Sequence, residues 1–464
     1  MRCRREAPNL TTRPNIIEII WHDLGDWLSC YHRPDVPSPC LQAFADEAVV
    51  FENHFGTAPL CSPSRASLKT GRYPQSNGIL GLTHRGWRYR EGEKDMPLFL
   101  REAGYETFLC GTQHERHDLS ELTYRHVFEK QPVPAGRTAD MAVEFLSARA
   151  SQAQPFFLSV GFHEVHRPYG THYDPVVAER LMVPGFLPDE PIVRKDMATF
   201  YECIRKTDAA VGRILDALRH ADFADHTLVY FTSDHGPEFP RAKATLYAPG
   251  IKVALIMKCT GLFAPGTRVS ELTSHVDVLP TLLEAAGVPI GEEIQGRSFL
   301  RLLTGGEYEP RDAIFAQDTW HGGEYEPMRC VRTRRHGYIR NYLPGWPVQM
   351  AGTYVQRYGE EFINSHFAHP RPAEGLYDLE ADPWERHNLA GNPECRDIQQ
   401  KLSDRLDAWL KQVDDPILQG PVPCADPAKV GQNCVWAKFP PHDPTKGNIR
   451  FGIVKTEDYV EQPL

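Results

Sequence analysis

The sequence lacks a segment suited to entering or crossing a membrane. No apolar run among its 464 residues approaches the roughly 20 residues of a membrane-spanning helix. The polar, basic segment Met1–Pro14 precedes only a short apolar stretch, Ile16–Trp21, which Glu18 interrupts and which cannot form a signal-peptide core. We therefore expect no membrane partner and a cytoplasmic location.

Excess positive charge and a disulfide framework are also missing. Subtracting 61 acidic from 51 basic side chains leaves a net charge of −10. Nucleic-acid binding needs clustered Lys and Arg to neutralise phosphates, so we expect no nucleic-acid partner. The 11 cysteines are odd in number and widely spread, which predicts free thiols. Any anionic substrate must therefore bind in a local basic pocket.

What the sequence does contain is alternating apolar runs and helical segments. Candidate strands are Ile16–Trp21, Thr107–Cys110, Phe156–Gly161, Thr227–Thr232 and Val253–Met257. Their continuous rather than alternating apolar character indicates strands buried on both faces. Helical stretches such as Leu41–Ala48 and Met197–Leu218 lie between them. This alternation predicts an α/β fold with a mostly parallel central sheet between helices.

The pattern changes after Glu309. Short strands are predicted at Ala313–Ala316, Arg329–Arg332, Tyr338–Asn341 and Gly375–Leu379. A helix follows with its apolar side chains on one stripe, namely Ile398, Leu402, Leu406, Trp409 and Val413. We predict two domains, residues 1–310 and a smaller C-terminal α+β domain over residues 311–464, whose tail after Asp414 wraps the surface.

Four of the five candidate strands end in polar clusters. These clusters are His22–Asp26, Gly111–Glu115, His163–Arg167 and Ser233–Gly236. Because ligands bind at the carboxyl ends of the strands in open α/β sheets, the clusters are expected to meet at one edge. Asp23, Asp234 and His235, with His22 beside them, suit a divalent ion: Ca²⁺ foremost, with Mg²⁺ or Mn²⁺ as alternatives. A buried structural His22 and a turn-forming Asp234 remain the alternatives.

Cys61 begins the segment Cys61-Ser62-Pro63-Ser64-Arg65. Pro63 suits the first turn of a helix, which places Cys61 near a helix N-terminus where unpaired N–H groups favour negative charge. That position predicts a lowered thiol pKa and a reactive group or anion site. A small buried hydrophobic residue is the alternative.

The run Cys61–Arg65, continued by Leu68-Lys69-Thr70-Gly71-Arg72, resembles the signature of type I sulfatases. In that family the cysteine is oxidised to formylglycine by a maturing enzyme. The resemblance extends from about Pro14 to Pro416 and implies the fold shared by alkaline phosphatase and sulfatases. Further matches, in the family's order, are Asn15–Gly25, Gly111–His114, His166, Ser233–Gly236 and Lys243.

Within the family, the sequence is most similar to heparan N-sulfatases. The stretches that carry this similarity are Gln75–Gly78, Phe162–Pro168 and Pro327–Arg334. The resemblance implies release of inorganic sulfate from a sulfated sugar, either an O-sulfate or an N-sulfoglucosamine-type sulfamate. Two residues depart from the family pattern. His22 stands where an aspartate is usual, and Thr112 replaces a lysine, for which Lys243, Arg65 or Arg116 must compensate.

The resemblance also implies roles for individual residues. The metal ligands are His22, Asp23, Asp234 and His235, and Cys61 carries the nucleophile that attacks sulfur. Arg65 and Lys243 stabilise negative charge, His166 protonates the leaving group, and His114 orients the nucleophile. His321 and Arg329 bind the substrate and select the leaving group; for this region a solvated loop is the alternative. A homo-oligomer is left open.

Three other functions compete with a sulfatase. A phosphonate or phosphate ester hydrolase would share the formylglycine and the Asp-His metal pair. A catalytically silent binder of sulfated glycans would explain Thr112 and His22. The third alternative is an enzyme that uses the unmodified Cys61 thiol, which would give the metal-binding residues no role.

Overall fold

The computed structural model describes residues 13–426 and 428, except 130–131, 150–153, 322–323, 346–351 and 368. Predictions for residues 1–12 and for the tail from 429 onward lie outside the described residues. The strands are β1 (Asn15–Trp21), β2 (Val49–Phe55), β3 (Glu106–Gly111), β4 (His126–Val127), β5 (Phe156–Phe162), β6 (Thr227–Ser233), β7 (Leu255–Cys259), β8 (Thr267–Ser274), β9 (Ile314–His321), β10 (Glu324–Arg332), β11 (His336–Asn341) and β12 (Glu374–Asp378).

The helices that accompany these strands vary from one turn to eight. They are α1 (Pro39–Asp46), α2 (Cys61–Thr70), α3 (Pro74–Asn77), α4 (Met96–Glu102), α5 (Ala135–Ala148), α6 (Pro175–Arg180), α7 (Pro191–Arg219), α8 (Ala248–Ile251), α9 (Val278–Ala285), α10 (Leu300–Thr304), α11 (Gly352–Tyr358), α12 (Glu360–Phe367) and α13 (Arg396–Gln412). Of the helices in the described ranges, none is long and apolar enough to span a bilayer.

The large sheet has the strand order β4-β3-β5-β1-β6-β7-β2-β8. Its pairings are parallel except where β7 runs antiparallel to β6 and β2. The mostly parallel sheet predicted from the sequence is therefore confirmed. The reversed β7 also explains why the fifth candidate strand carries no polar cluster at its carboxyl end.

Helices cover both faces of this sheet, and β1 shows why its strands are continuously apolar. Ile17 and Ile19 pack into the core formed with α5 and α7, whereas Ile16 and Ile20 pack into the core formed with α9. Because successive side chains of a strand point to opposite faces, burial on both faces requires apolar residues at nearly every position.

A second, antiparallel sheet has the order β12-β11-β10-β9. Leu402, Leu406 and Trp409 of α13 pack against it, as the helical stripe predicted. The predicted boundary near residue 310 falls between β8 of the first sheet and β9 of the second. Most residues of the described part of the tail are exposed or half-buried, whereas Asp415 and Val422 are buried.

The sequence analysis did not predict three strands of the large sheet, namely β2, β4 and β8. β4 and β8 are its edge strands, β2 pairs with β8, and all three contain polar residues. Edge strands are partly solvated, so they lack the continuous apolar signal of central strands.

Candidate active site

The carboxyl ends of β1 and β6 lie side by side and position four polar residues. Trp21 pairs with Ser233, so His22 and Asp23 emerge next to Asp234 and His235. The backbone N–H of Asp23 donates to Oδ1 of Asp234 at 3.0 Å. Asp23 has φ of 51°, a left-handed conformation that non-glycine residues seldom adopt outside functional sites. Gly236 follows His235 because a Cβ there would overlap the carbonyl oxygen of Pro249.

Cys61 is the first residue of α2 and faces this pair of strand ends. Its Sγ lies 3.2 Å from Nε2 of His235 and 3.8 Å from Oδ1 of Asp23. One turn further along α2, Arg65 Nε donates to Oδ2 of Asp234 at 3.0 Å. Ser64 also fixes the helix, since its hydroxyl donates to the backbone carbonyl of Asp234 at 2.5 Å. Helix α2 is thus held against the ends of β1 and β6.

Lys243 and His166 complete one side of the site. Lys243 Nζ donates to Oδ2 of Asp23 at 2.6 Å and lies 3.2 Å from Nε2 of His166. His166 is 28 % exposed at its side chain, while the Asp23 side chain is fully buried. The site is therefore open to solvent at His166 and closed at Asp23.

Imidazole rings crowd the other side. The ring of His22 lies 5.9 Å from that of His114, 5.7 Å from that of His163 and 6.0 Å from that of His166, measured between centroids. His84 stacks on His114, with Nδ1 and Nε2 3.3 Å apart. These rings surround the carboxylates with nitrogen atoms that can hold a proton or a metal ion.

The structure brings together nine residues that the sequence predicted for catalysis and metal binding. We call them the rim cluster: His22, Asp23, Cys61, Arg65, His114, His166, Asp234, His235 and Lys243. The expected meeting of the strand ends is confirmed; the individual roles stay predictions.

Charge is distributed unevenly within the rim cluster. Burial, reinforced by the Arg65 guanidinium, lowers the pKa of His22 to about 3. Burial also disfavours a charged His235, but the Asp234 and Asp23 carboxylates outweigh it and hold the pKa of His235 well above its usual value. Burial similarly opposes a charged Lys243, yet Asp23 and Glu238 raise its pKa. At neutral pH, His22 therefore offers a free lone pair, whereas His235 and Lys243 neutralise the carboxylates.

The lowered pKa predicted for the Cys61 thiol is wrong. Burial raises the pKa of Cys61, and nearby His235 and Lys243 do not reverse this effect because Asp23 and Asp234 also face the sulfur. The helix N-terminus alone suggested a thiolate; the two carboxylates, which come from distant strands, favour the neutral thiol. An enzyme based on unmodified Cys61 is thus disfavoured.

The donor set fits one divalent ion. Ligand atoms of His22, Asp23, Cys61 and Asp234 all lie within 4.8 Å of one another. Nε2 of His22 is buried and has no hydrogen-bond partner among the described residues. His235 donates from Nδ1 to the carbonyl of Gly236 at 2.8 Å, which directs Nε2 toward Asp23 and Cys61. An ion at this point would displace the proton on His235.

Thr112 leaves a gap in positive charge where the resemblance implies a lysine. Its hydroxyl is buried and has no hydrogen-bond partner in the described parts of the chain. Arg116 cannot compensate, since it pairs with Asp95 at 3.0 Å and stacks over the Tyr89 ring. Nη2 of Arg65 is buried and unpaired within the described ranges, so Arg65 keeps one donor for an anion. Of the three candidates, Arg65 and Lys243 remain.

The sequence analysis overlooked Glu238 and His84, and it gave His163 no role beyond its place in a polar cluster. Glu238 lies 3.2 Å from Nζ of Lys243 and accepts a hydrogen bond from Thr353 at 2.8 Å. Its place two residues after Gly236 was a usable signal, as was the position of His163 three residues before His166. No local pattern marks His84, which tertiary packing alone brings to His114.

Arg329 requires a correction. Its side chain is fully buried, and Nε and Nη2 donate to Asp415 at 2.6 and 2.9 Å. Nη1 donates to the carbonyls of Asp318 and Met328. Every nitrogen is therefore used inside the protein, and Arg329 holds the C-terminal sheet to the tail instead of binding substrate. His321 ends β9 and is half-buried, and its role in substrate binding stays a prediction.

Two family models match the chain. The model described as Sulfatase covers residues 14–288. The model described as N-sulphoglucosamine sulphohydrolase, C-terminal, covers residues 241–345. Together they span the rim cluster and the first strands of the antiparallel sheet.

Individual relatives agree with these models. An ulvan-active sulfatase of Formosa agariphila is 30% identical over 428 residues, which cover 88% of this chain and 82% of that protein. Human N-sulphoglucosamine sulphohydrolase is 29% identical over 468 residues, covering 88% of this chain and 92% of that protein. Among solved structures, a 2-O GAG sulfatase superimposes with a TM-score of 0.69 at 20% identity, covering 90% of this chain and 96% of that one. This last likeness supports the fold.

Proposed function

The chain belongs to the sulfatase family and is a hydrolase of sulfate esters or sulfamates, and from that premise we propose that its substrate is a sulfated sugar. The single observation that carries this proposal is the position of Cys61. Its Sγ, at the start of α2, lies close to His235 and Asp23. Lys243 donates to Asp23, and Arg65 donates to Asp234. The ulvan-active and N-sulphoglucosamine relatives support the sugar substrate.

The family uses formylglycine and a divalent ion, and the residues of this chain fit both. The hydrate of formylglycine at position 61 would supply the hydroxyl nucleophile, and His22, Asp23, Asp234 and His235 would hold an ion that polarises the sulfuryl oxygens. The resemblance implies Ca²⁺ as the ion.

The charged side chains of the rim cluster stabilise the anion that forms. Arg65 keeps Nη2 free for a sulfate oxygen, and Lys243 brings a second positive charge to the side of Asp23. Positioned charges of this kind usually make the largest contribution to catalysis. Their burial matters, because a water-excluded site strengthens each interaction.

His166 protonates the leaving group, and His114 orients the nucleophile. His166 is the solvent-facing imidazole of the site, and its Nδ1 lies 2.6 Å from the carbonyl of Arg167, so Nε2 faces the cleft. That orientation suits protonation of a departing sugar hydroxyl or amine. His114 packs between His22 and His84, where it can orient the nucleophile.

Maturation requires a partner. Cys61 is 3% exposed in the folded chain. A formylglycine-generating or sulfatase-maturing enzyme must reach this side chain, so it acts on the chain before α2 packs against the strand ends.

The test is sulfate release by the matured protein from O-sulfated and N-sulfated glucosamine. We expect turnover of at least one of them, and faster turnover of 4-nitrophenyl sulfate than of a phenyl phosphonate monoester. Faster phosphonate turnover would assign the chain to phosphonate hydrolysis instead. No turnover of any sulfated substrate, with formylglycine and metal both confirmed, would identify a sulfated-glycan binder.

A further inference from the structure

The oxygen atoms available to a metal ion in the rim cluster are few. Oδ2 of Asp23 already accepts from Lys243 at 2.6 Å. Oδ1 of Asp234 accepts the backbone N–H groups of Asp23 and His235 at 3.0 and 2.8 Å, and Oδ2 accepts from Arg65. Hydrogen bonds therefore occupy at least one oxygen of each carboxylate, and we expect each carboxylate to bind an ion through a single oxygen.

Of the imidazole nitrogens nearby, one is free and a second becomes available when an ion displaces its proton. Nε2 of His22 is buried and unpartnered within the described ranges, and Nδ1 lies 3.1 Å from Oδ2 of Asp234. Nε2 of His235 faces Asp23 at 3.1 Å, and its ring is fixed by the Gly236 carbonyl. A backbone acceptor on the far nitrogen is the usual arrangement of a metal-binding histidine.

We propose that this chain selects a first-row transition ion such as Mn²⁺ over Ca²⁺, because His22 and His235 supply two imidazole nitrogens beside two carboxylates that each bind through one oxygen. Ca²⁺ prefers about six to eight oxygen ligands, and imidazole is a poor substitute. Mixed imidazole and carboxylate sets suit Mn²⁺, Fe²⁺ and Zn²⁺. The inference rests on the proposed function, since it concerns the same metal site, and it names the class of ion.

The experiment is competitive equilibrium dialysis of the matured protein against Mn²⁺ and Ca²⁺, with bound metal measured by mass spectrometry. Mn²⁺ is the probe because thiolates prefer softer ions. A Cys61 that has not been converted to formylglycine therefore contributes little to the measured Mn²⁺ affinity. We expect the wild type to bind Mn²⁺ more tightly than Ca²⁺ by about tenfold or more. Affinity changes of this order are typical when the surroundings of a metal ligand are altered.

Two variants identify the cause of this preference. His22→Asp replaces an imidazole by a carboxylate, and we expect the ratio of Mn²⁺ to Ca²⁺ affinity to fall by about tenfold or more. His172→Asp is the matched control, because it makes the same replacement at an exposed histidine that does not belong to the rim cluster. It is expected to keep the wild-type ratio. A wild type that prefers Ca²⁺, or equal changes in both variants, would overturn the proposal.

A spectroscopic measurement keeps the proposal testable even if His22→Asp does not fold. Pulsed electron paramagnetic resonance of the Mn²⁺-loaded wild type should detect two coordinated imidazole nitrogens; detection of one or none would contradict it. These readouts do not depend on turnover. Sulfate release with a Ca²⁺ preference would overturn the inference alone, whereas a Mn²⁺ preference without sulfate release would overturn the proposed function alone.

Discussion

The rim cluster and the Arg329–Asp415 pair are both buried sets of charge, but they differ in what they leave unsatisfied. Arg329 and Asp415 are matched nitrogen to oxygen, and neighbouring carbonyls accept the remaining Arg329 donor. In the rim cluster, Nε2 of His22 and Nη2 of Arg65 have no partner within the described ranges. Burying polar atoms without partners costs free energy, which a bound ligand can offset. The rim cluster therefore keeps hydrogen-bonding and ligating capacity that the Arg329–Asp415 pair has used.

The largest difference between the two regions should appear in the rate of sulfate release when Cys61 is replaced. Cys61→Ala should lower sulfate release by about 10⁴-fold or more, since loss of a nucleophile removes most of the catalytic effect. Cys330→Ala is the control, because Cys330 is equally buried but lies in the antiparallel sheet. It should retain turnover. Comparable rates for the two variants in a sulfate-release assay would show that position 61 carries no nucleophile.

His166→Ala should lower kcat/KM by about 10²–10⁴-fold on a sugar sulfate, because the leaving hydroxyl then lacks its proton donor. The loss should be clearly smaller on 4-nitrophenyl sulfate, whose leaving group needs no proton. His172→Ala, an exposed histidine of the same segment, serves as the control. An equal loss on both substrates would remove His166 from the proton-transfer role.

Breaking the Arg329–Asp415 pair should lower the stability of the protein and leave its turnover nearly unchanged. Asp415→Ala leaves the Arg329 charge buried and should lower the free energy of unfolding by about 3–5 kcal/mol. Turnover per folded molecule should remain near that of the wild type, as urea titration combined with kinetics can determine. The double variant Arg329→Met, Asp415→Leu should recover most of the stability. Loss of turnover in that double variant, despite recovered stability, would restore Arg329 as a substrate residue.

The smallest expected change is in stability, after replacement of Glu324, the first residue of β10. Burial, assisted by Glu326, raises the pKa of Glu324 to about 7. The folded protein therefore binds a proton that the unfolded chain releases at lower pH, and stability falls as pH rises from about 4.5 to about 7. Glu324→Gln should stabilise the protein by about 1–2 kcal/mol at pH 8, allowing for screening, and by little at pH 4.5. Equal effects at both pH values would contradict this assignment.

Much of the rim cluster could be predicted because its residues follow apolar runs in the sequence. His22 and Asp23 come directly after β1, and Asp234 and His235 end β6, so a rule about strand ends places them together. Cys61 was found through the helix start and the family motif. The fold was predictable for the same reason, since strands buried on both faces give the clearest signal.

The rest depends on contacts between distant parts of the chain. Asp415 lies 86 residues from Arg329, so the strand pattern could not show that the guanidinium is already paired. Burial raises the pKa of Cys61, and Asp23 and Asp234, neither of which is near it in sequence, add to this effect. Glu238 and His84 gain their importance from Lys243 and His114 only after folding. Local patterns identify which residues are chemically capable, and packing decides how they are used.

The central claim is that His22, Asp23, Asp234, His235 and residue 61 share one divalent ion. Anomalous X-ray diffraction from crystals of the matured protein grown with Mn²⁺ tests it most directly. The account predicts one strong peak, within about 2.5 Å of both carboxylates and both imidazoles, the range of ordinary metal–ligand distances, and next to residue 61. A peak held by other side chains, or residue 61 turned away from the peak, would contradict it.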